Sequence, residues 1–328
     1  MLLSGKNGFV SDFRSSDRCF LCHAVSQCTS WCNRQPGQGS GGSIGLSEEP
    51  KTGRPREGVA VAIFLSRFEG TRRLARRSSQ PPYLVFGNQN YRDVILNWIS
   101  AAERVAVSNV IVVAYDRTLS KELKRQKIDT VHVPMPGGKE NLWWRLFVFE
   151  AMCRAGIDFV HCDADAVLLR NPTPYLESFP AADLIISQGT VHPQSVAESR
   201  GFVVCMGFFF LRGTSDSLEM ISEALRTIPF TGTDQAALNS VLPLDPADWD
   251  WGLGNRISRE HRGVIFCFLD EEVVLRKSGS PVVVLLPHPL FQRFFLGLDS
   301  NPFLVHPLAS QNARSKISLL QSYGLWFL

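Results

Sequence analysis

Nowhere does this chain hold the roughly eighteen consecutive apolar residues that a membrane-spanning helix needs. Its most apolar early stretch, residues 59–65, is far too short. The opening residues, MLLSGKNGFVSDF, lack the continuous apolar core of a secretory signal. Two readings stay open: a protein that is not secreted, or a sequence whose true N-terminus is missing or misassigned. Internal repeats are lacking too, which sets aside solenoids and propellers. Net charge is low, +3 over 328 residues, and unevenly spread. Residues 1–82 hold 12 Lys/Arg against 6 Asp/Glu, leaving +6; the remainder hold 22 against 25, leaving −3. A basic leader therefore precedes a mildly acidic body, and that body offers nothing for nucleic acid. An apolar content of 45% with 20% charged residues fits a soluble globular protein of one large or two small domains.

The leader reads as linker. GQGSGGSIG and EEPKTGRPREG supply Gly, Ser and Pro without hydrophobic period, so disorder is expected. Residues 59–65 suit an added strand or an interfacial helix. The five arginines of residues 67–77 suit a solvated basic helix, with a membrane-surface or sorting segment as the lesser reading. Cys19, Cys22, Cys28 and Cys32 crowd together beside His23, open to zinc, to disulfides, or to an unstructured cysteine-rich leader. Cys153, Cys162, Cys205 and Cys267 lie scattered in apolar segments, as buried thiols do.

Order is expected from Pro82 onward. Residues 83–86 (YLVF) read as a strand, 91–106 as a helix with Val94, Ile95, Trp98 and Ile99 on one face, and 110–115 (VIVVAY) as a second strand. A helix over 120–127 with Ser120 as its cap, a strand over 130–133, and a long helix over 140–155 stopped by Gly156 follow. The β-α-β-α-β-α-β order predicts a parallel, doubly wound sheet. Further on, strands are expected at 184–188, 202–211 (interrupted at Gly207), 264–268 and 282–286, and helices at 215–226, 234–241 and 313–322.

The chemistry concentrates in IDFVHCDADAVLLRNPTP, residues 157–174. An apolar run ends abruptly at Asp163 and Asp165, at the carboxyl end of a buried strand, where open α/β sheets bind ligands. On extended backbone the two carboxylates share a face. Like charges so placed repel unless a cation sits between them, and a hard divalent ion carrying phosphate oxygens suits that role.

Five stretches, taken together and in order, resemble the nucleotide-diphospho-sugar transferase family that includes plant and algal cell-wall xylosyltransferases and arabinosyltransferases. They are NYRDVILNWI with VIVVAYD, FVHCDADAVLLRNPTPYL, GFFFLRGT, DQAALN and VHPLASQNARSKISLLQSYGLW, and they span nearly everything after Pro82. The resemblance implies a GT-A-like α/β fold over residues 83–328, a doubly wound mostly parallel sheet flanked by helices. It also implies a retaining transferase that uses manganese or magnesium with a nucleotide-diphosphate sugar as donor, and a glycan or glycoprotein as acceptor. Under it, Asp163 and Asp165 serve the metal, His306 completes the metal shell, and Lys316 offers its ammonium to the diphosphate. Asp234 and Gln235 lie near the reacting sugar, Gly207 adjoins the donor, and Asp116 contacts the nucleotide or caps the turn that follows it. A Golgi lumen location goes with the family. Any membrane association would have to come through a missing or atypical N-terminus. One departure stands out: Cys205-Met206-Gly207 replaces the small polar triplet usual before the GFFF-like strand, which puts donor-sugar contacts in doubt.

Two rivals remain at this stage. Asp-Ala-Asp-Ala-Val after a strand also fits a haloacid-dehalogenase-type phosphohydrolase, with Asp163 as nucleophile and Asp165 as acid/base, but that chemistry needs a distal acidic pair from Asp270-Glu271-Glu272 or Asp248/Asp250. The other rival is an inactive relative that binds a nucleotide or glycan, with Trp143, Trp144, Trp249 and Trp251 as a sugar surface or, more plainly, as core.

Overall fold

Strand β1 (Tyr83–Gly87) divides its side chains between two apolar clusters, and this alternation sets the layering of the whole fold. The computed structural model describes residues 80–133, 144–250, 256–261, 264–275, 279–308 and 312–328. The expectations for residues 1–79, including the four-cysteine cluster and the basic segment, lie outside the described residues, as do Trp143, Trp251 and the start of the helix expected over 140–155.

In chain order β1 is followed by α1 (Arg92–Arg104), β2 (Val110–Ala114), α2 (Arg117–Arg125), β3 (Thr130–His132), α3 (Arg145–Arg154) and β4 (Phe159–Cys162). Then come β5 (Val167–Leu168), α4 (Thr173–Glu177), β6 (Leu184–Gln188), α5 (Gln194–Arg200), β7 (Val204–Leu211), α6 (Ser215–Thr231) and α7 (Asp234–Val241). Strands β8 (Trp249–Asp250) to β14 (Leu304–Val305) and helix α8 (Ala313–Ser322) complete the fold; among them are β9 (Arg256–His261), β10 (Val264–Leu269), β11 (Val273–Leu275), β12 (Val283–Leu285) and β13 (Phe291–Gln292).

The main sheet has the order β3-β2-β1-β4-β7-β6-β12-β11-β8. Its first four strands are parallel, β7 is antiparallel to both neighbours, and β11 is antiparallel to both of its own. All the other strands run one way, so the sheet is mostly parallel, as expected. Leu84, Ile111 and Val113 face α3, α6 and α7, whereas Tyr83, Val85 and Val112 face α1 and α2. Helices on both faces account for the near-continuous apolar runs of the strands. Strand β7 is continuous and buried along its length, but its pairing with β6 shifts register between the Ile186–Phe209 and Gln188–Val204 pairs, across the stretch that holds Gly207, where an interruption was expected.

The start of α2 differs from expectation, while α6 and α7 begin where they were expected. Helix α2 begins three residues earlier than expected because Asp116, not Ser120, is its cap: the carboxylate accepts from the Leu119 N–H at 2.8 Å. Thr214 caps α6, and Thr233 caps α7, which makes Asp234 the first residue of that helix. The α6 helix also runs past Arg226 to Thr231 and ends on Gly232 at φ +74°.

A second, three-stranded sheet, β13-β14-β5, arises from two-residue strands that local pattern does not reveal. Residues beyond α8 return to the body through Asn97 on α1. Its side chain donates to the Leu325 carbonyl at 3.1 Å and accepts from the Phe327 N–H at 2.5 Å, fully buried. Truncation strands two backbone groups, so Asn97→Ala is expected to cost about 2–3 kcal/mol, read as a lower urea midpoint at unchanged slope.

Candidate active site

Strand β4 ends at Cys162, and the next four residues turn sharply: the Ala166 N–H donates to the Asp163 carbonyl at 2.9 Å. The expectation that Asp163 and Asp165 share a face of extended backbone therefore fails in its geometry. The two carboxylates converge through a turn, pinned by the Trp98 indole N–H on the Ala166 carbonyl at 2.9 Å and by the Asp163 N–H on the Gly207 carbonyl at 2.7 Å. The outcome is nevertheless convergence. Each acid lies close to the His306 Nε2, at 3.6 Å for Asp163 and 3.7 Å for Asp165. Asp163, Asp165 and His306 each offer a ligand atom, all within 4.8 Å of one another.

The small sheet delivers the histidine. Strand β14 pairs with β5 and β13, so its exit, His306, lies beside the turn that carries Asp165. The His306 N–H is anchored on the Gln292 carbonyl at 2.7 Å. Gly207 makes the room. A Cβ at that position would lie 2.0 Å from His306 Cε1, 2.5 Å from its Nδ1 and 2.9 Å from Asp163 Oδ2. Burial, with the nearby Arg293 charge adding, pushes the His306 pKa down to about 3. The ring is thus neutral at physiological pH and offers Nε2 as a ligand. Its Nδ1 lies 3.9 Å from the Cys205 thiol, whose own pKa is raised by burial.

Arg145, at the start of α3, is a site residue that the sequence did not reveal. Its guanidinium is buried and forms ion pairs with Asp163, at 2.6 Å, and with Asp234. It also donates to His161 Nε2 at 3.0 Å. His161, fully buried, keeps its other ring nitrogen 3.2 Å from the Leu84 carbonyl. A carbonyl only accepts, so Nδ1 carries the proton and Nε2 receives the Arg145 N–H. Burial works to raise the Asp163 pKa, but the charge of Arg145, with smaller contributions from His161 and His306, outweighs it and holds the carboxyl well below the usual range. The one signal in sequence was a lone arginine set in the apolar run LWWRLFVF.

Lys316 reaches in from α8, and its Nζ donates to Asp165 at 2.5 Å. Burial disfavours the ammonium, yet the Asp165 and Asp163 charges raise its pKa. These groups line one cavity of about 480 Å³, with Asp234, Gln235, Gly207, Cys205 and Arg293 on its walls. Of the metal, donor and sugar-site residues that the family resemblance implies, Asp116 alone is not on that lining. Its carboxylate accepts from the Leu119 and Gln89 N–H groups, at 2.8 and 2.6 Å. Trp144 and Trp249 are buried, which favours core over a sugar surface.

The phosphohydrolase reading fails here. Asp163 is held in an ion pair, and neither Asp248/Asp250 nor Asp270-Glu271-Glu272 lines the cavity. Glu272 instead receives the Tyr175 hydroxyl.

Two outcomes follow from this geometry. Gly207→Ala is expected to push the His306 ring off the two carboxylates and weaken manganese binding by about tenfold or more, measured by calorimetry. The depressed His306 pKa means that the unfolded chain binds more protons between about 3 and 6.5, so stability rises with pH there. The melting temperature of the metal-free protein should fall as pH drops from 7 to 5, and His306→Gln should flatten that slope.

Comparison with known proteins gives the family. A model of the nucleotide-diphospho-sugar transferase family matches residues 105–320. An arabinosyltransferase of Arabidopsis thaliana, XEG113, is 25% identical over 248 residues, a match that takes in 68% of this chain and 36% of the relative. The chain thus spans well under half the length of that protein. Among solved structures, the bifunctional glycosyltransferase WbbM is 13% identical, with a TM-score of 0.39 over 50% of this chain and 38% of its own. A mannose-1-phosphate geranyltransferase from Thermus thermophilus is 11% identical, with a TM-score of 0.31 over 63% and 74%. Likenesses that distant add no weight of their own. The family match covers the turn of Asp163 and Asp165, the wall at Gly207, Asp234 and His306, and the Lys316 helix, and the chain belongs to the nucleotide-diphospho-sugar transferase family, and with it to the glycosyltransferases.

Proposed function

We propose that this protein is a metal-dependent, retaining glycosyltransferase that moves a pentose or hexose from a nucleotide-diphosphate sugar to a glycan or glycoprotein acceptor. The observation that carries the reading is the convergence of Asp163, Asp165 and His306 beside Lys316 in one cavity. Two carboxylate oxygens and a neutral imidazole nitrogen are a donor set suited to manganese or magnesium. Bound there, such an ion would draw off charge as the sugar–phosphate bond breaks.

The chain's own residues divide the remaining work. Lys316 offers an ammonium to the departing diphosphate. Asp234 and Gln235 open α7 on the cavity wall, toward the reacting sugar. The ion pair of Asp234 with buried Arg145 ties up its charge, which favours holding sugar hydroxyls over attack on the anomeric carbon. Gln235 is tethered by its amide N–H on the His192 carbonyl at 2.8 Å, leaving its side-chain oxygen as acceptor. Asp116 acts one step back from the nucleotide: it fixes the loop that carries Asn88 and Tyr91 into the cavity. Residues 83–328 form the catalytic domain in this reading. The XEG113 likeness makes an arabinosyl donor the first to try. A Golgi lumen location, with a plant-type cell-wall or glycoprotein product, rests on the family resemblance. Among the described residues no helix is long and apolar enough to cross a membrane.

The direct test is a screen of nucleotide sugars, pentoses and hexoses alike, for release of nucleoside diphosphate in the presence of manganese. Turnover of at least one donor is expected, lost on chelation and reduced about a hundredfold or more in Asp165→Ala. Turnover that survives both treatments would remove the metal from the mechanism.

A further inference from the structure

We propose that Arg293 is a donor-binding residue: its guanidinium receives the phosphate oxygens of the sugar nucleotide beside His306. The inference rests on the donor-site reading above and adds a residue that the sequence motifs do not contain.

Topology brings Arg293 to the site. It follows directly on β13, as His306 follows on β14, and those strands are parallel and in register, Phe291 with Leu304 and Gln292 with Val305. The antiparallel pairing of β14 with β5 puts Asp165, two residues ahead of β5, at the same edge. One short sheet thus presents Arg293, His306 and Asp165 together at the cavity, and Arg293 lies on its lining.

Its hydrogen-bonding state points to a ligand. Arg293 Nε and Nη1 are buried and have no acceptor among the described residues. Buried guanidinium donors are costly to leave unmet, and they are seldom found so without a reason. The other two Lys/Arg groups on the cavity wall are already engaged: Arg145 with Asp163 and Asp234, Lys316 with Asp165. Among the described residues Arg293 has no such carboxylate.

Charge leads to the same ligand. Among the described residues, three carboxylates line the cavity (Asp163, Asp165, Asp234), and three cations offset them (Arg145, Lys316, Arg293). A divalent ion on the Asp163, Asp165 and His306 cluster then leaves a doubly positive pocket. The diphosphate of a sugar nucleotide carries one negative charge on each phosphorus and cancels that excess. Guanidinium is the side chain best suited to such oxygens.

The test is calorimetry on the full chain, with manganese alone and then with inorganic pyrophosphate at saturating manganese. Wild type, Arg293→Gln and Arg293→Lys are compared. Wild type is expected to bind both. Arg293→Gln should weaken pyrophosphate by about ten- to a hundredfold, while manganese alone binds as well or more tightly, because a repelling charge has gone. Arg293→Lys should fall between the two for pyrophosphate and serves in place of the glutamine variant if that one does not fold. Equal loss of manganese and pyrophosphate would assign Arg293 a structural role and overturn the proposal, as would unchanged pyrophosphate binding. Wild type that takes manganese but no pyrophosphate would sink this proposal and leave the metal site standing. Wild type that takes neither would sink the donor-site reading along with it.

Discussion

A buried guanidinium stands between two carboxylates, and the arrangement of the cavity depends on it. Arg145 pairs with both Asp163, at the end of the central strand β4, and Asp234, at the head of α7. Those acids come from parts of the chain some seventy residues apart, and like charges brought into one half-dry cleft would repel. With the arginine between them, the strand end and the helix start share one charged core. His161 closes the arrangement from below, neutral and fully engaged. A buried pair of this kind contributes less to net stability than to fixing geometry, since desolvation offsets much of its attraction.

Space is controlled as tightly as charge. The β7 strand passes behind His306 at Gly207, where even a methyl group would collide with the ring. Cys205-Met206-Gly207 therefore keeps glycine at the one position of the three where sterics demand it. Met206 turns away into the apolar cluster under α3, α6 and α7, while Cys205 stays on the cavity wall beside His306 Nδ1. A thiol is a weak acceptor, so its sulfur can accept a hydrogen bond from the Nδ1 N–H and leave Nε2 free toward the two aspartates.

The three-stranded sheet explains how distant segments meet. Its strands are two residues long, too short to matter much for stability. Their register nonetheless sets Asp165, Arg293 and His306 along one edge, while α8 adds Lys316 from the far side. Asn97 and Trp98 of α1 brace the same region, one holding the returning tail and the other the acidic turn.

Much of this was legible in the residues themselves. Apolar runs and helical spacing fixed the parallel half of the sheet, with β4 and β6 and the helices α7 and α8 at their observed limits, because those patterns reflect burial on two faces or one. The acids, the late histidine and the lysine were legible as residue types in a familiar order. The antiparallel turn of β7, the two-residue strands, Arg145 and Arg293 were not, because each depends on partners far along the chain and leaves no local period. Composition and pattern determined that an α/β protein would carry Asp163 and Asp165 at a strand's end. Only the tertiary structure decided that a turn, rather than the pleat, brings them together, and that Arg145 must lie between Asp163 and Asp234, since charges and sterics act through space and not along sequence.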